Sequence, residues 1–479
     1  MNYKAVFNII FRLLLVEMAL MLLPVVVALI YGEDPSAFLI TIAAVTALSG
    51  IGLFLSRGDK RIYPREGFVI VALSWVIMSA VGAVPFVISG YIPSFVDAFF
   101  ETVSGFTTTG ATILTDVEAL PLSLLFWRSF THWVGGMGVL VFIMAILPLS
   151  NVRSVHIMRA EVPGPTKSKL VPKMKSTAVI LYSIYVVMTL VEIILLICGG
   201  MPFFDAVVHS FGTAGTGGFG IKNNSIAYYD SAYIQYVISI FMLLFGVNFN
   251  LYYFLLIKDI KSIFKSEELR WYLGIAVTAA AVIAINISHL FSNFGESVRY
   301  AFFQVSSIMT TTGFSTTDFN QWPSLSKGIL VLLMFIGASA GSTGGGMKVS
   351  RIIIGVKSVF SEIKRLLHPR SVRTIRLDGS VLDDTAVRAS MIFCFAYLVL
   401  TSIMSLIVCF DGYDMVTSFT AVVACISNIG PGLELVGPVG NFAMFSAPIK
   451  VVLSFAMLLG RLELFPILML FLPSTWRRT

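Results

Sequence analysis

The chain has 479 residues, of which 57% are hydrophobic and only 12% charged, with a formal net charge of +7 and a mean hydropathy of +0.89. Soluble domains carry about twice that share of charge, so a soluble enzyme or a nucleic-acid binder is excluded and a polytopic membrane protein is indicated. The four cysteines, Cys198, Cys394, Cys409 and Cys425, lie in apolar segments without metal-ligand spacing and read as small packing residues.

Apolar runs long enough to cross a bilayer, roughly 20 residues, fall near 6–31, 36–56, 67–89, 124–149, 177–199, 232–257, 271–290, 328–352, 389–410 and 446–472. The first is too long for a signal-peptide core and reads as a retained helix. Shorter apolar stretches near 94–106, 202–214, 298–310 and 414–426 have the length of re-entrant helices. Basic residues collect after alternate spans: Arg57, Lys60, Arg61 and Arg65; Arg153, Arg159, Lys167, Lys169, Lys173 and Lys175; Lys258, Lys261, Lys265 and Arg270; Lys348 through Arg388; and Arg477 and Arg478. The opposite connections carry mainly acids, among them Glu33, Asp97, Asp116, Asp205, Glu296, Asp318, Asp414 and Glu434. The positive-inside rule then places the basic segments and both termini in the cytoplasm. The excess charge is a topology signal, and a nucleic-acid partner is unnecessary to explain it.

Four frames repeat along the chain: 98–110 AFFETVSGFTTTG, 205–217 DAVVHSFGTAGTG, 301–313 AFFQVSSIMTTTG and 418–430 SFTAVVACISNIG. Their final glycines are Gly110, Gly217, Gly313 and Gly430, and the next span carries a glycine in each case, Gly135, Gly246, Gly337 and Gly460. The unit is helix, re-entrant helix, Thr/Gly loop, helix. The expected fold is therefore all-α and membrane-embedded, with four tandem helix–pore-loop–helix repeats around a pseudo-fourfold pore and an N-terminal helix pair. The divisions are 1–62 for the extension, then 63–176, 177–267, 268–387 with a Gly-rich loop, and 388–479.

Non-helical backbone at membrane depth is tolerated where it lines a water-filled cavity. Rings of carbonyl oxygens can replace the hydration shell of a bare monovalent cation. The candidate ligating backbone is Thr107, Thr108, Thr109 and Gly110; Gly215, Thr216, Gly217 and Gly218; Thr311, Thr312 and Gly313; and Asn428, Ile429 and Gly430. The re-entrant helices would aim their negative C-terminal ends at the axis. No carboxylate ring stands at the frame ends, which disfavours a calcium-type site. Glu101 and His209, earlier in their frames, read as helix-packing or mouth residues, with an influence on conduction as the alternative.

The run Gly337-Ala338-Ser339-Ala340-Gly341-Ser342-Thr343-Gly344-Gly345-Gly346 interrupts the eighth span. It is either a close-packing kink or an unwound segment lying across the pore. Arg461, in the final span, is costly in a membrane; it either pairs with Glu463 or faces the pore. Arg12 and Glu17 read as interhelical or snorkelling charges, His132 as an interfacial packing residue, and Asn248 and Asn250 as lining or packing the pore interior. The basic segment Ile352–Arg376 suits either anionic lipid or a cytosolic regulator. A transporter with two inverted repeats would show a pairwise pattern, and a membrane enzyme would need a reactive cluster that five scattered histidines do not supply.

TTTGAT, GTGGFG, TTTGFST and SNIGPGL, together with GASAGSTGGGMK, carry a resemblance over essentially the whole chain to the membrane subunits of the Trk/Ktr/HKT superfamily of potassium transporters, most closely the bacterial TrkH type. The helix pair at 1–62 favours that type over the shorter Ktr type. The resemblance implies potassium uptake across the bacterial inner membrane, potassium at the frame residues, and gating by Gly337–Gly346 with Arg461. Plant relatives with serine at the first frame glycine go with sodium transport, so glycine at Gly110 implies potassium selectivity. It further implies a homodimer and a cytosolic nucleotide-binding ring subunit of the TrkA type, since this chain has no dinucleotide fingerprint and would bind no nucleotide itself. Ion-coupled symport with H+ or Na+, and some sodium permeation, stay open as alternatives.

Overall fold

The computed structural model describes residues 1–56, 64–136, 138, 174–369 and 374–476. Arg57, Lys60, Arg61, Arg153, Arg159, Lys167, Lys169, Lys173, Arg370, Arg373, Arg477 and Arg478 lie outside them, as does most of the expected span's second half at 137–149.

The described chain is almost entirely helical; its one sheet there is the two-stranded hairpin Arg376–Leu377/Ser380–Val381. Each repeat begins with a long apolar outer helix: Pro64–Ile88, Met174–Cys198, Glu267–Asn286 and Asp384–Val408. A short helix follows in each: Phe95–Phe106, Phe203–Gly215, Phe294–Met309 and Met415–Ile426. At about 1.5 Å per residue these are too short to cross a hydrocarbon core of about 30 Å. Their starts are written locally. Ser94, Asn293 and Asp414 cap the first, third and fourth by accepting amide hydrogens from Asp97, Glu296 and Thr417, while Pro202 precedes the second. Asp97, Asp205 and Glu296 occupy first turns, where the helix dipole favours negative charge.

The inner helices close each repeat: Leu122–Gly136, Ala232–Phe245, Ser324–Ile336 and Ala447–Arg461. Three of the ten expected uninterrupted spans, 232–257, 328–352 and 446–472, thus differ from expectation, while the second half of a fourth, 124–149, lies almost wholly outside the described residues. Among the described residues, six helices are long and apolar enough to cross a membrane. The run 232–257 is a pair, Ala232–Phe245 and Phe249–Leu256, bent by 92°. The run 328–352 stops at Ile336, 446–472 stops at Arg461 and resumes at Phe465–Leu470, and 124–149 is helical to Gly136. The described helix ends fall at or next to Gly135, Gly246, Gly337 and Gly460, where a Cβ would lie within 2.4 Å of another heavy atom: the carbonyl oxygens of Phe106, Gly345 and Ile426 at Gly135, Gly337 and Gly460, and the Tyr272 hydroxyl at Gly246.

Every short helix packs against the inner helix of the preceding repeat. Phe203–Gly215 lies on Leu122–Gly136, Phe294–Met309 on Ala232–Phe245, Met415–Ile426 on Ser324–Ile336, and Phe95–Phe106 on Ala447–Arg461. This one-step displacement, closing from the fourth repeat to the first, is the pseudo-fourfold arrangement. The N-terminal helices stand outside the ring, with Tyr3–Leu20 on Ser36–Leu55 and Pro64–Ile88 and Leu22–Tyr31 on Leu122–Gly136. Outer faces expose large apolar side chains such as Phe54, Ile285, Phe395 and Leu406, whereas Ser and Thr crowd the interior, the reverse of a soluble protein's distribution. Of the cysteines only Cys425 is a core residue; Cys198 and Cys409 are exposed on these outer faces.

Candidate functional site

The four short helices end in the same backbone fold. Thr108, Thr216, Thr311 and Asn428 each donate an amide hydrogen three residues back, to Gly105, Thr213, Ile308 and Cys425, all at 3.1 Å. The following amides, of Thr109, Gly217, Thr312 and Ile429, reach five residues back at 2.8–2.9 Å. The first set has φ of 55–60°, and two residues later Gly110, Gly218, Gly313 and Gly430 have φ of 72–97°. The equivalent glycine of the second repeat is therefore Gly218 rather than Gly217. The sequence frame slipped by one because GTGG offers two glycines in succession.

At these four positions glycine is required twice over, by the left-handed backbone and by the neighbour. A Cβ on Gly110 would lie 2.0 Å from the Gly217 carbonyl oxygen, one on Gly218 2.1 Å from that of Thr312, one on Gly313 2.0 Å from that of Ile429, and one on Gly430 2.7 Å from that of Thr109. The relation runs from repeat to repeat and closes on itself. Four carbonyls, of Thr109, Gly217, Thr312 and Ile429, thus meet in one ring. A cavity of about 140 Å³ opens beside it, lined by Gly110, Gly218, Gly313 and Gly430.

The ring is braced from behind. Thr107 and Thr109 share a hydroxyl hydrogen bond of 2.8 Å, as do Thr310 and Thr312. In the fourth repeat Asn428 reaches further: its Nδ2 donates to Thr109 Oγ1 at 3.0 Å and to the Met457 carbonyl at 2.9 Å. His132, read as interfacial, is instead fully buried between two repeats. Its Nδ1 donates to the Gly105 carbonyl (2.7 Å) and its Nε2 accepts from the Phe219 amide (3.2 Å), which fixes a neutral tautomer. His209 is likewise buried, donating to the Asp205 carbonyl at 2.8 Å.

Glu101 and Arg128 form a buried ion pair at 2.6 Å. Glu101 also accepts from Thr112 Oγ1 (2.9 Å) and the Ile113 amide (3.0 Å). Arg128 donates to the Gly220 carbonyl at 2.8 Å and stacks over Phe219 at 3.5 Å. The pair buckles the first Thr/Gly segment to the second. Breaking one partner of a buried pair costs about 3–5 kcal/mol. Arg128→Gln is therefore expected to lower the thermal unfolding midpoint in detergent markedly more than Arg12→Gln, on an exposed position; equal midpoints would refute the buckle. Outside, Lys222 joins Glu118 at 3.0 Å, and that hydrogen bond, then the Asn223 amide, holds the Glu118 carboxyl below its usual range.

The segment 337–346 lies against the opposite end of the four segments from the 140 Å³ cavity. The Gly345 amide donates to Thr311 Oγ1 at 2.6 Å, and the Gly346 amide to the Ser427 carbonyl at 3.1 Å. Ser339 donates to the Gly246 carbonyl (3.1 Å), Thr343 Oγ1 to that of Phe245 (3.2 Å), and the Gly341 carbonyl accepts from Phe249 (3.0 Å). Glu268 clasps the segment's flank, accepting from the Ala340 amide at 2.7 Å and the Ser350 amide at 3.1 Å. Lys348 Nζ donates to the Gly344 carbonyl. Asn248 Oδ1 faces Gly341, and Asn248 caps the helix from Phe249 by accepting from the Asn250 amide.

Arg461 stands in the middle of this arrangement. Its guanidinium donates to Thr108 Oγ1 (3.2 Å), to the Thr343 carbonyl (2.8 Å), and to the carbonyls of Gly135 and Gly136 (2.7 Å for the latter). It does not pair with Glu463, which binds Arg351 at 2.6 Å. Of the residues singled out from sequence, the structure brings the four frames, segment 337–346, Arg461 and Asn248 together. It places Glu17 apart, buried beside Gly82, and leaves Arg12 exposed. Arg128, Glu268 and Lys348 were missed as site residues. Arg128, a charge inside an apolar run, carried a sequence signal, and Lys348 closes the GASAGSTGGGMK motif.

The family model for TrkH, a cation transport protein, matches residues 35–477. The chain is 38% identical, over the full length of both chains, to the Trk system potassium uptake proteins TrkH of Salmonella typhimurium and Escherichia coli. It is 35% identical to TrkG of Escherichia coli, with 95% of each covered. Its structure matches the crystal structure of the potassium transporter TrkH from Vibrio parahaemolyticus with a TM-score of 0.89 and 35% identity, covering all of both chains. The chain belongs to the TrkH family of cation transport proteins, multi-pass membrane transporters rather than enzymes.

Proposed function

We propose that this protein takes up potassium across the bacterial inner membrane through the ring formed by Thr109, Gly217, Thr312 and Ile429. The flanking positions Thr107, Thr108, Gly110, Gly215, Thr216, Gly218, Thr311, Gly313, Asn428 and Gly430 shape this filter. The observation that carries the reading is the closed cycle of carbonyls, each packed against the left-handed glycine of the preceding repeat. Such a ring offers oxygen ligands without a fixed negative charge, which suits a weakly hydrated monovalent cation over a divalent one. The short helices end at the ring and lend it their negative dipole ends.

Gly337–Gly346 is the gate in this reading. It hydrogen-bonds to the inner end of the filter at Thr311 and Ser427 and is tied by Arg461 to Thr108 and Gly135. A guanidinium there both holds the loop and repels cations. The chain would work as a homodimer with one pore per copy and both termini cytoplasmic, under control of a cytosolic nucleotide-binding ring subunit. The exposed basic helix Val349–Leu367, continuous with the loop, is the natural lever for that partner.

Expression in a bacterial strain lacking potassium uptake systems, with a compatible regulatory subunit, should restore growth at low potassium; failure at normal membrane abundance would refute the assignment. Glu268→Gln is expected to weaken the hold on Ala340 and Ser350 and raise basal rubidium flux about two- to tenfold, since a neutral acceptor in place of a charged one weakens a hydrogen bond by about 1 kcal/mol. Unchanged flux would remove Glu268 from the gate's support.

A further inference from the structure

A groove of about 720 Å³ runs between the outer and inner helices of the third repeat, Glu267–Asn286 and Ser324–Ile336, on the face turned away from the pore. Its walls are apolar, with Thr278, Leu332 and Ile336 along its length, and one end is marked by Arg270 and Trp271. We infer that this groove is a binding site for an anionic phospholipid, with an acyl chain in the groove and the headgroup on Arg270.

Three features argue for that occupant. Gly274 lines the groove, and a Cβ there would meet nothing within 4 Å, so the absence of a side chain leaves this stretch of the wall open. The headgroup end offers one accessible cation, with Asp378 occupied by the Glu267 amide at 2.6 Å. Glu267 is neutralised by Lys357 at 2.6 Å, whereas Arg270 is exposed, bonds only its own helix at the Ser266 carbonyl, and has no carboxylate partner among the described residues. Trp271, 43% exposed beside it, suits the headgroup level, where amphipathic rings settle. Basic pockets between membrane helices recognise anionic headgroups in this way. The adjoining outer surface, with Val277, Ile285 and Leu332 exposed, is already lipid-facing in character.

The site also touches the machinery. Ile336, in the groove wall, immediately precedes Gly337, and Glu268, next to Glu267 at the headgroup end, holds the Ala340 amide. A seated lipid therefore braces both anchors of the loop. This coupling rests on the gate reading above, whereas lipid binding does not.

The full-length protein in nanodiscs containing equal phosphatidylglycerol and phosphatidylcholine is examined by native mass spectrometry. Wild type should retain phosphatidylglycerol preferentially. Arg270→Gln should lower that preference about fivefold, the value of one basic side chain at an anionic surface. Gly274→Leu, which fills open space and so preserves the fold, should lose the retained lipid of both kinds. Retention of phosphatidylglycerol by Gly274→Leu at the wild-type level, or an undiminished preference in Arg270→Gln, overturns the site. So does efficient disulfide crosslinking of two copies through Leu332→Cys, which would show the face covered by a second chain. Rubidium flux in liposomes then tests the coupling: it should vary with the phosphatidylglycerol fraction for wild type and not for Gly274→Leu. Equal dependence in both would overturn the coupling while leaving the binding result standing.

Discussion

Arg461→Ala is expected to raise basal rubidium flux into proteoliposomes about tenfold or more, in the absence of any regulatory subunit. The wild-type guanidinium satisfies two carbonyls of the first repeat's inner helix, the Thr343 carbonyl of the loop and the Thr108 hydroxyl. Truncation removes the tie between loop and filter. It also frees carbonyl oxygens and takes a positive charge from the ion path. Losing even one charge-assisted hydrogen bond, about 1.5–3 kcal/mol, shifts a two-state equilibrium about tenfold or more. Arg461→Lys keeps the charge but cannot fork to four acceptors, so its flux should fall between wild type and alanine. If lysine restores wild-type closure, charge alone acts there; if alanine leaves flux unchanged at equal protein content, Arg461 is not part of a gate.

Gly110→Ser is expected to abolish discrimination of potassium over sodium. The side chain must be placed on a backbone with φ of 79° and against an oxygen 2.0 Å away, on the neighbouring repeat. That oxygen belongs to Gly217, a proposed ligand. Displacing it changes the ring's size as well as the backbone's conformation, and strain of this kind costs on the order of 1–3 kcal/mol. The geometry ranks the equivalent substitutions. Gly218→Ser and Gly313→Ser meet carbonyls at 2.1 and 2.0 Å and should match Gly110→Ser, whereas Gly430, with 2.7 Å of space, should tolerate serine best. Reversal potentials, or competition of rubidium flux by sodium, measure the order directly. Equal tolerance at all four positions would argue against a ring in which neighbours set each other's place.

Much of this arrangement was legible in the residues. Repeated Thr/Gly frames after short apolar stretches, together with alternating basic loops, suffice for four re-entrant units, because membrane burial punishes irregular backbone wherever it lacks a purpose. What could not be read was register and partnership. GTGG allows either Gly217 or Gly218 to take the left-handed position, and only the five-residue hydrogen bond of Gly217 to Gly212 settles it. The continuous spans drawn over 232–257 and 446–472 failed because hydropathy averages across a break: a single glycine hardly lowers the mean, yet Gly460 stands where the Ile426 carbonyl crosses and Gly246 where the Tyr272 hydroxyl does. Arg461 had Glu463, two residues on, as an alternative partner in the sequence. The structure gives Glu463 to Arg351, from a helix more than a hundred residues away in sequence, and such long-range choices leave no local trace. His132 was misjudged for the same reason, since its partners Gly105 and Phe219 belong to two different repeats.

The ring itself is best tested by locating the ion. Crystals or vitrified particles of the protein in rubidium, compared with the same preparation in sodium, should show density on the pore axis among the carbonyl oxygens of Thr109, Gly217, Thr312 and Ile429, strongly occupied in rubidium and weak in sodium. Rubidium bound elsewhere in the chain, with the ring empty in a preparation that still conducts, would contradict the account at its centre.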